Sequence, residues 1–200
     1  MFFHLEPERA VINDINTNLM RFYLGVQQNY IELRNELTDL EEIYKTNRTD
    51  FDALKRLYPN EKVIDKNEEL YYKLRDMYNG LSAKKYSFAA LYYFINKTSY
   101  SGMIRFNSKG EFNVPYGRYK NFNTALLTNE HHRLLANTEI HNTDYREIFA
   151  ITTPDDFVFL DPPYDCIFSD YGNDEYKYGF GEDNHRQLAN DFFNLYYDLV

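Results

Sequence analysis

Apolar positions recur along this chain at two periods, one typical of helices and one of short buried strands. Residues 10–13 (Ala-Val-Ile-Asn) form a short apolar run closed by Asp14, which predicts a buried strand. Asn16-Thr17 then supplies a helix start, and Leu19, Met20, Phe22, Tyr23 and Val26 follow at helical spacing. From about 29 to 96 the pattern stays helical and charged. Ile31, Leu33, Leu37, Leu40 and Ile43 make one stripe, Leu70, Tyr71, Leu74, Met77 and Tyr78 another, and Pro59-Asn60 breaks the chain between them. Residues 84–96, with Ala89, Ala90, Leu91, Tyr93 and Phe94, are small and apolar enough for a buried helix. Glycine, asparagine and Pro115 punctuate 100–123, which predicts an extended loop or hairpin. A helix near 124–136, a short strand at 138–141 and a helical turn from Asp144 come next. Residues 157–160 (Phe-Val-Phe-Leu) read as a buried strand that ends at Asp161-Pro162-Pro163-Tyr164. A last amphipathic helix over about 183–199 turns Leu188, Phe192, Leu195, Tyr196 and Leu199 inward.

Strands alternating with helices indicate an α/β fold with a mostly parallel sheet. Two of the strands end in an acidic residue, and ligands of such sheets bind beyond the carboxyl ends of the strands. The long helical stretch between them reads as an insertion. A length of 200 residues suits one domain carrying such an insertion. With 44% hydrophobic and 26% charged residues the composition is that of a globular protein, which sets aside disordered and collagenous classes. No apolar run reaches the roughly 18 residues of a membrane span, and no signal segment opens the chain. The single cysteine, Cys166, excludes an internal disulfide framework and a cysteine-cage zinc site. A soluble cytoplasmic protein is the expectation, with no membrane partner. Twenty tyrosines with no tryptophan is an unusual balance that by itself names no function.

A net charge of -9 argues against a nucleic-acid partner only if it is evenly spread. It is not. Residues 97–120 carry Lys97, Arg105, Lys109, Arg118 and Lys120 against Glu111 alone, whereas 121–200 hold four basic residues against fifteen acidic. The basic island is interleaved with Tyr100, Phe106, Phe112, Tyr116 and Tyr119. Phosphates need positive charge only where the backbone lies, so the local sum is what matters. Composition alone reads this short stretch equally well as a solvated loop.

At Asp161 two consecutive prolines force the preceding strand to stop, since neither can donate to a ladder. Proline also fixes φ, so the turn is rigid and aims the Asp161 carboxylate and the Pro162 carbonyl beyond the sheet. Tyr164 adds a flat ring. A carboxylate, a carbonyl and an aromatic face make a receptor for a planar group bearing an NH2. The two acceptors satisfy both amino hydrogens and draw the nitrogen lone pair out of conjugation.

The segment Phe157-Val158-Phe159-Leu160-Asp161-Pro162-Pro163-Tyr164 resembles the DPPY motif of amino-methyltransferases that use S-adenosylmethionine. Residues Tyr100-Ser101-Gly102-Met103-Ile104-Arg105-Phe106-Asn107 and Gly110-Glu111-Phe112-Asn113-Val114-Pro115-Tyr116-Gly117-Arg118-Tyr119 resemble the DNA-contacting segment of Dam-like adenine methyltransferases. Phe2-Phe3 and Ala10-Val11-Ile12-Asn13-Asp14-Ile15-Asn16 are similar to that family's second cofactor segment. The order of the segments also matches, over about residues 2–190.

The resemblance implies a Rossmann-like S-adenosylmethionine-dependent methyltransferase fold. Residues 1–28 and 137–200 would form an incomplete catalytic body, and 29–136 a helical target-recognition insertion with a DNA-contacting loop at 100–120. It implies a site-specific DNA adenine methyltransferase acting on double-stranded DNA, of bacterial or phage origin, with a cognate restriction endonuclease as a further partner. Asp14 would hold the cofactor ribose, Ile15 its adenine, and Asp144 with Tyr145 the cofactor's adenine amino side. Asp161, Pro162, Pro163 and Tyr164 would hold a flipped target adenine, Tyr164 by stacking. Arg105, to guanine, and the loop from Asn113 to Tyr119 with Pro115 would read DNA, Tyr100 would stand beside the flipped base, Ser101 and Asn107 would be further DNA contacts, and Lys109, Arg118 and Lys120 would meet phosphates. No metal is expected.

Two departures accompany the resemblance. Family members carry a lysine and a Gly-rich cofactor loop before the position of Met1 and further strands after that of Val200. The chain is therefore expected to be truncated, and a DNA-binding remnant without catalysis is the alternative. Ser101 stands where relatives that methylate GATC usually have Asn, so the resemblance leaves the recognition site open between GATC and another sequence. Of the other constellations, His131-His132 with His141 and His185 read as surface histidines, because adjacent residues on a helix face different ways. Gly179-Phe180-Gly181 follows no strand and reads as a loop, and Cys166 as a bystander. A glutamine-directed methyltransferase shares the strand-then-PPY logic, but that group generally has Asn at the position of Asp161.

Overall fold

In the computed structural model, which describes residues 2–163 and 180–199 with side chains to 195 in the second stretch, helices dominate around a small parallel sheet. The order is α1 (Phe2–Leu5), β1 (Ala10–Asn13), α2 (Thr17–Gln28), α3 (Tyr30–Leu57), α4 (Lys66–Tyr78) and α5 (Phe88–Thr98). A 3-10 turn at Tyr100–Gly102 leads through a long irregular segment to α6 (Asn129–Ala136), β2 (Thr138–His141), α7 (Tyr145–Phe149) and α8 (Glu182–Leu199). None of the described helices is long and apolar enough to cross a membrane.

Side-chain caps explain where the helices begin. Asn16 accepts from the Leu19 amide at 3.0 Å, Asp65 from Asn67 at 2.9 Å and Ser87 from Ala90 at 3.2 Å. The expected helix over 84–96 therefore starts later, at Phe88, because Ser87 is held by Glu36 of α3. That carboxylate accepts from the Ser87 amide at 2.7 Å and from its hydroxyl at 2.5 Å. The helix expected from 124 likewise starts only at Asn129. Thr128 and His131 form a reciprocal capping box there, and the Thr124 hydroxyl is bound to Glu41.

One hydrophobic core runs from Val26 to Leu135. From α3 it takes Leu33, Leu37, Leu40 and Tyr44, a spacing of four, three and four that keeps one face inward. Ile31, expected in that stripe, is 72% exposed, since it lies off this face. Helix α4 contributes Tyr71, Leu74 and Met77. Helix α5 is buried nearly all round, through Ala89, Ala90, Leu91, Tyr93, Phe94 and Ile95. It sits centrally, against α2, α3 and α4. Helices α2 and α5 approach closely at Gly25, where a Cβ would lie 2.7 Å from that of Ala89.

Strands β1 and β2 pair in parallel from Ala10↔Thr138 to Asn13↔His141, so the whole helical stretch forms the crossover between them. Ile12 and Ile140 pack against the core, whereas Val11 is 42% exposed. The strand expected at 157–160 does not form. The segment is not paired with β1 or β2, and Phe157 and Phe159 are 75% and 54% exposed. An apolar run becomes a strand only when a neighbour supplies the ladder. In α8, Leu188 is buried as expected but Phe192 is 37% exposed. The side chains of Tyr196 and Leu199 lie outside those described.

Gly25→Ala is expected to destabilise the chain by about 1–3 kcal/mol, because two methyl groups cannot share that gap. Urea unfolding would measure it, and the double variant with Ala89→Gly should regain most of the loss.

Candidate functional site

The carboxyl ends of β1 and β2 are joined by asparagines. The Asn13 carboxamide and the Thr143 backbone exchange hydrogen bonds, Nδ2 to the Thr143 carbonyl and the Thr143 amide to Oδ1, each at 2.9 Å. Asn142 donates to the carbonyls of Asp14 and Ile15 at 2.8 and 3.0 Å, and accepts from the Thr17 hydroxyl at 2.9 Å. The segments after both strands are thereby tied to one edge, which brings Asp14 and Ile15 beside Asp144 and Tyr145. Each carboxylate shapes its own turn. Asp14 accepts from the Asn16 amide at 2.7 Å, and Asp144 caps α7 through the Arg146 amide at 3.0 Å. A carboxylate has about four acceptor sites, so both retain capacity for hydroxyl or amino donors. The Tyr145 hydroxyl donates to Asp191 of α8 at 2.6 Å, and its pKa is pushed up to about 12, first by burial and then by that bond.

The basic island is a hairpin laid on the helices. Its tip is an asparagine-built turn, in which Asn107 Oδ1 accepts from the amides of Lys109 and Glu111 at 2.9 and 3.0 Å. Asn107 Nδ2 donates to the Glu111 carboxylate at 2.7 Å, so its carboxamide is engaged within the turn on both sides. Phe106 and Phe112 pair across the hairpin, and Phe112 is buried. Arg105 donates through Nε to Asn113 Oδ1 at 2.8 Å, which leaves its two terminal nitrogens facing solvent as a fork. Lys109, Lys120 and Pro115 are exposed, and the Pro115 carbonyl accepts from the Tyr100 amide at 2.8 Å. The Tyr100 ring is 55% exposed.

Two residues of this segment hold left-handed backbone without being glycine: Ser101 at φ 54° and Arg118 at φ 56°. Such conformations are strained and cluster where a structure positions a functional group. Arg118 is steadied by a forked bond to Glu68 of α4, at 2.9 and 3.1 Å. Gly117, next to it, is required by sterics, since a Cβ there would meet the Ser99 carbonyl oxygen at 2.8 Å.

Tyrosines account for how this irregular segment is held. Tyr71 donates to the Val114 carbonyl at 2.8 Å, Tyr44 to that of Tyr119 at 2.6 Å, and Tyr93 to that of Asn123 at 3.0 Å. The hydroxyls of Tyr44 and Tyr116 are also 2.7 Å apart. Burial raises the pKa of Tyr44, Tyr71, Tyr93 and Tyr116 above the ordinary phenol value, so all four remain neutral donors. The tyrosine excess thus has a structural use that the sequence did not disclose.

Asp161, Pro162 and Pro163 lie at the end of the described stretch, with Asp161 and Pro163 exposed and Pro162 half-buried. Tyr164, Cys166 and Gly179 lie outside the described residues. His131 and His132 do point different ways, as expected, but both are half-buried. His131 caps α6 and packs on Phe3, and His132 stacks on Tyr30 at 5.0 Å. Among the described residues no group of three or more His, Cys, Asp or Glu could hold a metal ion.

The pattern of segments has relatives. A family model for the D12 class N6 adenine-specific DNA methyltransferases matches residues 1–196. Type II methyltransferase M.MjaIII of Methanocaldococcus jannaschii is 35% identical over 190 residues, covering 92% of this chain and 60% of that protein. Type II methyltransferase M.CviBI of Paramecium bursaria Chlorella virus NC1A is 30% identical, over 96% of this chain and 64% of its own length. The DNA adenine methylase of Serratia marcescens is 29% identical, over 82% and 53%. The chain thus spans little more than half to just under two thirds of these relatives.

Hydrogen bonds from Tyr145, Gln187 and Arg146 hold the Asp191 carboxyl below the ordinary aspartate range, the tyrosine contributing most. A lowered pKa stabilises the fold above the ordinary value, and that contribution is lost as pH falls through the lowered one. Acid should therefore loosen the α7–α8 contact below the usual aspartate range. Asp191→Asn should remove that dependence, as read by amide exchange in α8 against pH.

Proposed function

Because this chain belongs to the D12 class N6 adenine-specific DNA methyltransferase family, we propose that it works as a site-specific DNA adenine methyltransferase, transferring a methyl group from S-adenosylmethionine to the exocyclic amino group of a flipped adenine. The observation that carries this reading is the parallel pairing of β1 and β2, which puts Asp14 and Asp144 at one edge. An acidic strand end is the feature that binds ribose in nucleotide-binding sheets, and crevices beyond parallel strand ends are where such ligands sit. A Rossmann-like body from 1–28 and 137–200, with 29–136 as the recognition insertion, is the architecture this implies.

S-adenosylmethionine, when bound, supplies an electrophilic methyl group on sulfur. Asp14 accepts from ribose hydroxyls, Ile15 offers an apolar contact to the adenine ring, and Asp144 accepts from the adenine amino group beside Tyr145. On the target side, the Asp161 carboxylate and the Pro162 carbonyl each accept one hydrogen of the adenine amino group. This frees its lone pair for direct transfer and leaves the carboxylate placed to take the proton released. Tyr164 stacks on the flipped base. Flipping is needed because the amino group is engaged inside the duplex. Positioning and lone-pair release then carry the rate.

The hairpin supplies the DNA contacts. The outward fork of Arg105 matches the two acceptors of guanine in the major groove. Asn113 is bonded to it, Tyr100, Ser101, Pro115 and Tyr119 are the further contacts of the same segment, and Lys109, Arg118 and Lys120 neutralise phosphates. Ser101 lacks the two-sided carboxamide that Asn offers at this position, a difference that bears on which sequence is read. A cognate restriction endonuclease belongs to the same reading, because two of the relatives are named Type II methyltransferases.

Labelled methyl should pass from S-adenosylmethionine to adenine when the chain meets unmethylated DNA, identified after digestion to nucleosides. Asp161→Ala should abolish transfer and leave DNA binding nearly unchanged; undiminished transfer would sink the role of Asp161. DNA binding with no transfer in the unaltered chain would instead indicate a recognition protein without catalysis.

A further inference from the structure

The outer edge of the recognition hairpin poses a problem in backbone chemistry. Phe106 and Phe112 face one another, flanked by bonds from Asn107 N to Glu111 O at 2.9 Å and from Asn113 N to Arg105 O at 3.0 Å. Those flanking bonds make Phe106–Phe112 a non-hydrogen-bonded pair of an antiparallel ladder, so the N–H and C=O of Phe112 point away from the partner strand. Phe112 is 2% exposed, so its backbone groups need partners from within the protein.

Asn79, the residue that ends α4, supplies both. Its Oδ1 accepts from the Phe112 amide at 2.8 Å and its Nδ2 donates to the Phe112 carbonyl at 3.0 Å. A carboxamide presents one acceptor and one donor side by side, the pair a neighbouring strand residue would offer. Asn79 therefore acts as a third strand one residue long. Its own place is fixed by the helix end, where its amide donates to the Arg75 carbonyl at 2.9 Å, and Gly80 follows at φ 74° to turn the chain away. Tyr71, two turns earlier on the same helix, holds Val114 two residues further along the hairpin.

We propose that Asn79 is a positioning residue for DNA recognition, docking the Phe112 edge so that Arg105 and Asn113 stand at a fixed height and angle above the helices. This rests on the reading of the hairpin as the DNA-contacting element. Asn113 is the next residue along the docked strand and is bonded to Arg105 through both backbone and side chain, so a tilt of Phe112 moves the arginine fork. Base contacts need fixed geometry, whereas phosphate contacts by exposed lysines tolerate displacement. Losing the clasp therefore erodes discrimination between sequences more than overall affinity.

The test uses the full chain with Asn79→Leu, which keeps the volume and removes both hydrogen bonds, and Asn79→Gln, which keeps the carboxamide. Duplexes enriched by the unaltered chain from a random pool are compared with the unselected pool, alongside amide exchange at Phe112. Asn79→Leu should lower the ratio of selected to unselected binding by about tenfold, speed Phe112 exchange by a similar factor, and leave unselected binding and α3 protection in place. Asn79→Gln should restore part of the ratio. An unchanged ratio with unchanged exchange would overturn the proposal, as would loss of α3 protection with both kinds of binding, since Asn79 would then support the fold at large. Failure of the unaltered chain to enrich any sequence would defeat the DNA reading itself. The exchange at Phe112 would still decide whether Asn79 holds the edge.

Discussion

The structure depends on satisfying the backbone of a long segment that has only a 3-10 turn and two isolated bridges of its own to do it. Between the end of α5 and the start of α6 the chain lies over a hydrophobic surface, with Phe112, Val114, Tyr116 and Phe122 buried beneath it. A buried backbone carbonyl without a partner costs on the order of 1–3 kcal/mol. The helices answer with long donors: Tyr71, Tyr44 and Tyr93, joined by Arg34, which reaches the Thr124 carbonyl at 2.8 Å. Tyrosine suits this task because its ring packs in the core while its hydroxyl reaches the far side. Each bond fixes a point along the segment, and together they turn an irregular stretch into a surface of defined shape.

The parallel strand pair is a second, smaller instance of the same logic. Four residues a side give little ladder, yet the two ends must be held across a separation of 128 residues in sequence. Asn13 and Asn142 do so by offering donor and acceptor together, as Asn79 does at the hairpin edge. Three asparagines thus extend or close backbone pairing where the strands are too short to do it. The Asp14 and Asp144 turns inherit their positions from these bonds, which sets the shape of the proposed cofactor edge.

This division sets what was legible in the sequence. Periodic elements read correctly: β1, β2, the run of helices from 17 to 98 and the hairpin-like character of 100–123 follow from spacing and turn residues. Helix starts at Phe88 and Asn129 were missed because Glu36 and Glu41, far along the chain, decide what Ser87 and Thr124 bind. The apolar run at 157–160 was misread because a strand is a relation between two segments, and a run of four residues carries no record of a partner. Asp14 and the basic hairpin announced themselves through charge at a strand end and in a loop, whereas Asp144 entered only through the family resemblance. Asn79, Asn142 and Tyr71 did not, because their bonds run from side chain to backbone across 33, 128 and 43 residues, with no period to betray them.

The distribution of charge acquires a cause once the hairpin is seen as fixed. A flexible basic loop gains affinity by adding cations, since each finds its own phosphate. A rigid one gains little from cations that its geometry cannot aim. Here Arg118 is bonded to Glu68 and Arg105 to Asn113, so two of the island's arginines are oriented before any partner arrives. A protein with net charge -9 can then present a small positive surface, because orientation does part of what a broad basic field would otherwise have to do. On the proposed reading, the acidic excess over residues 121–200 would weaken attraction of a polyanion there, away from the hairpin. On that reading, selectivity for place on the protein would arise before selectivity for sequence, and both would depend on the same clasped loop.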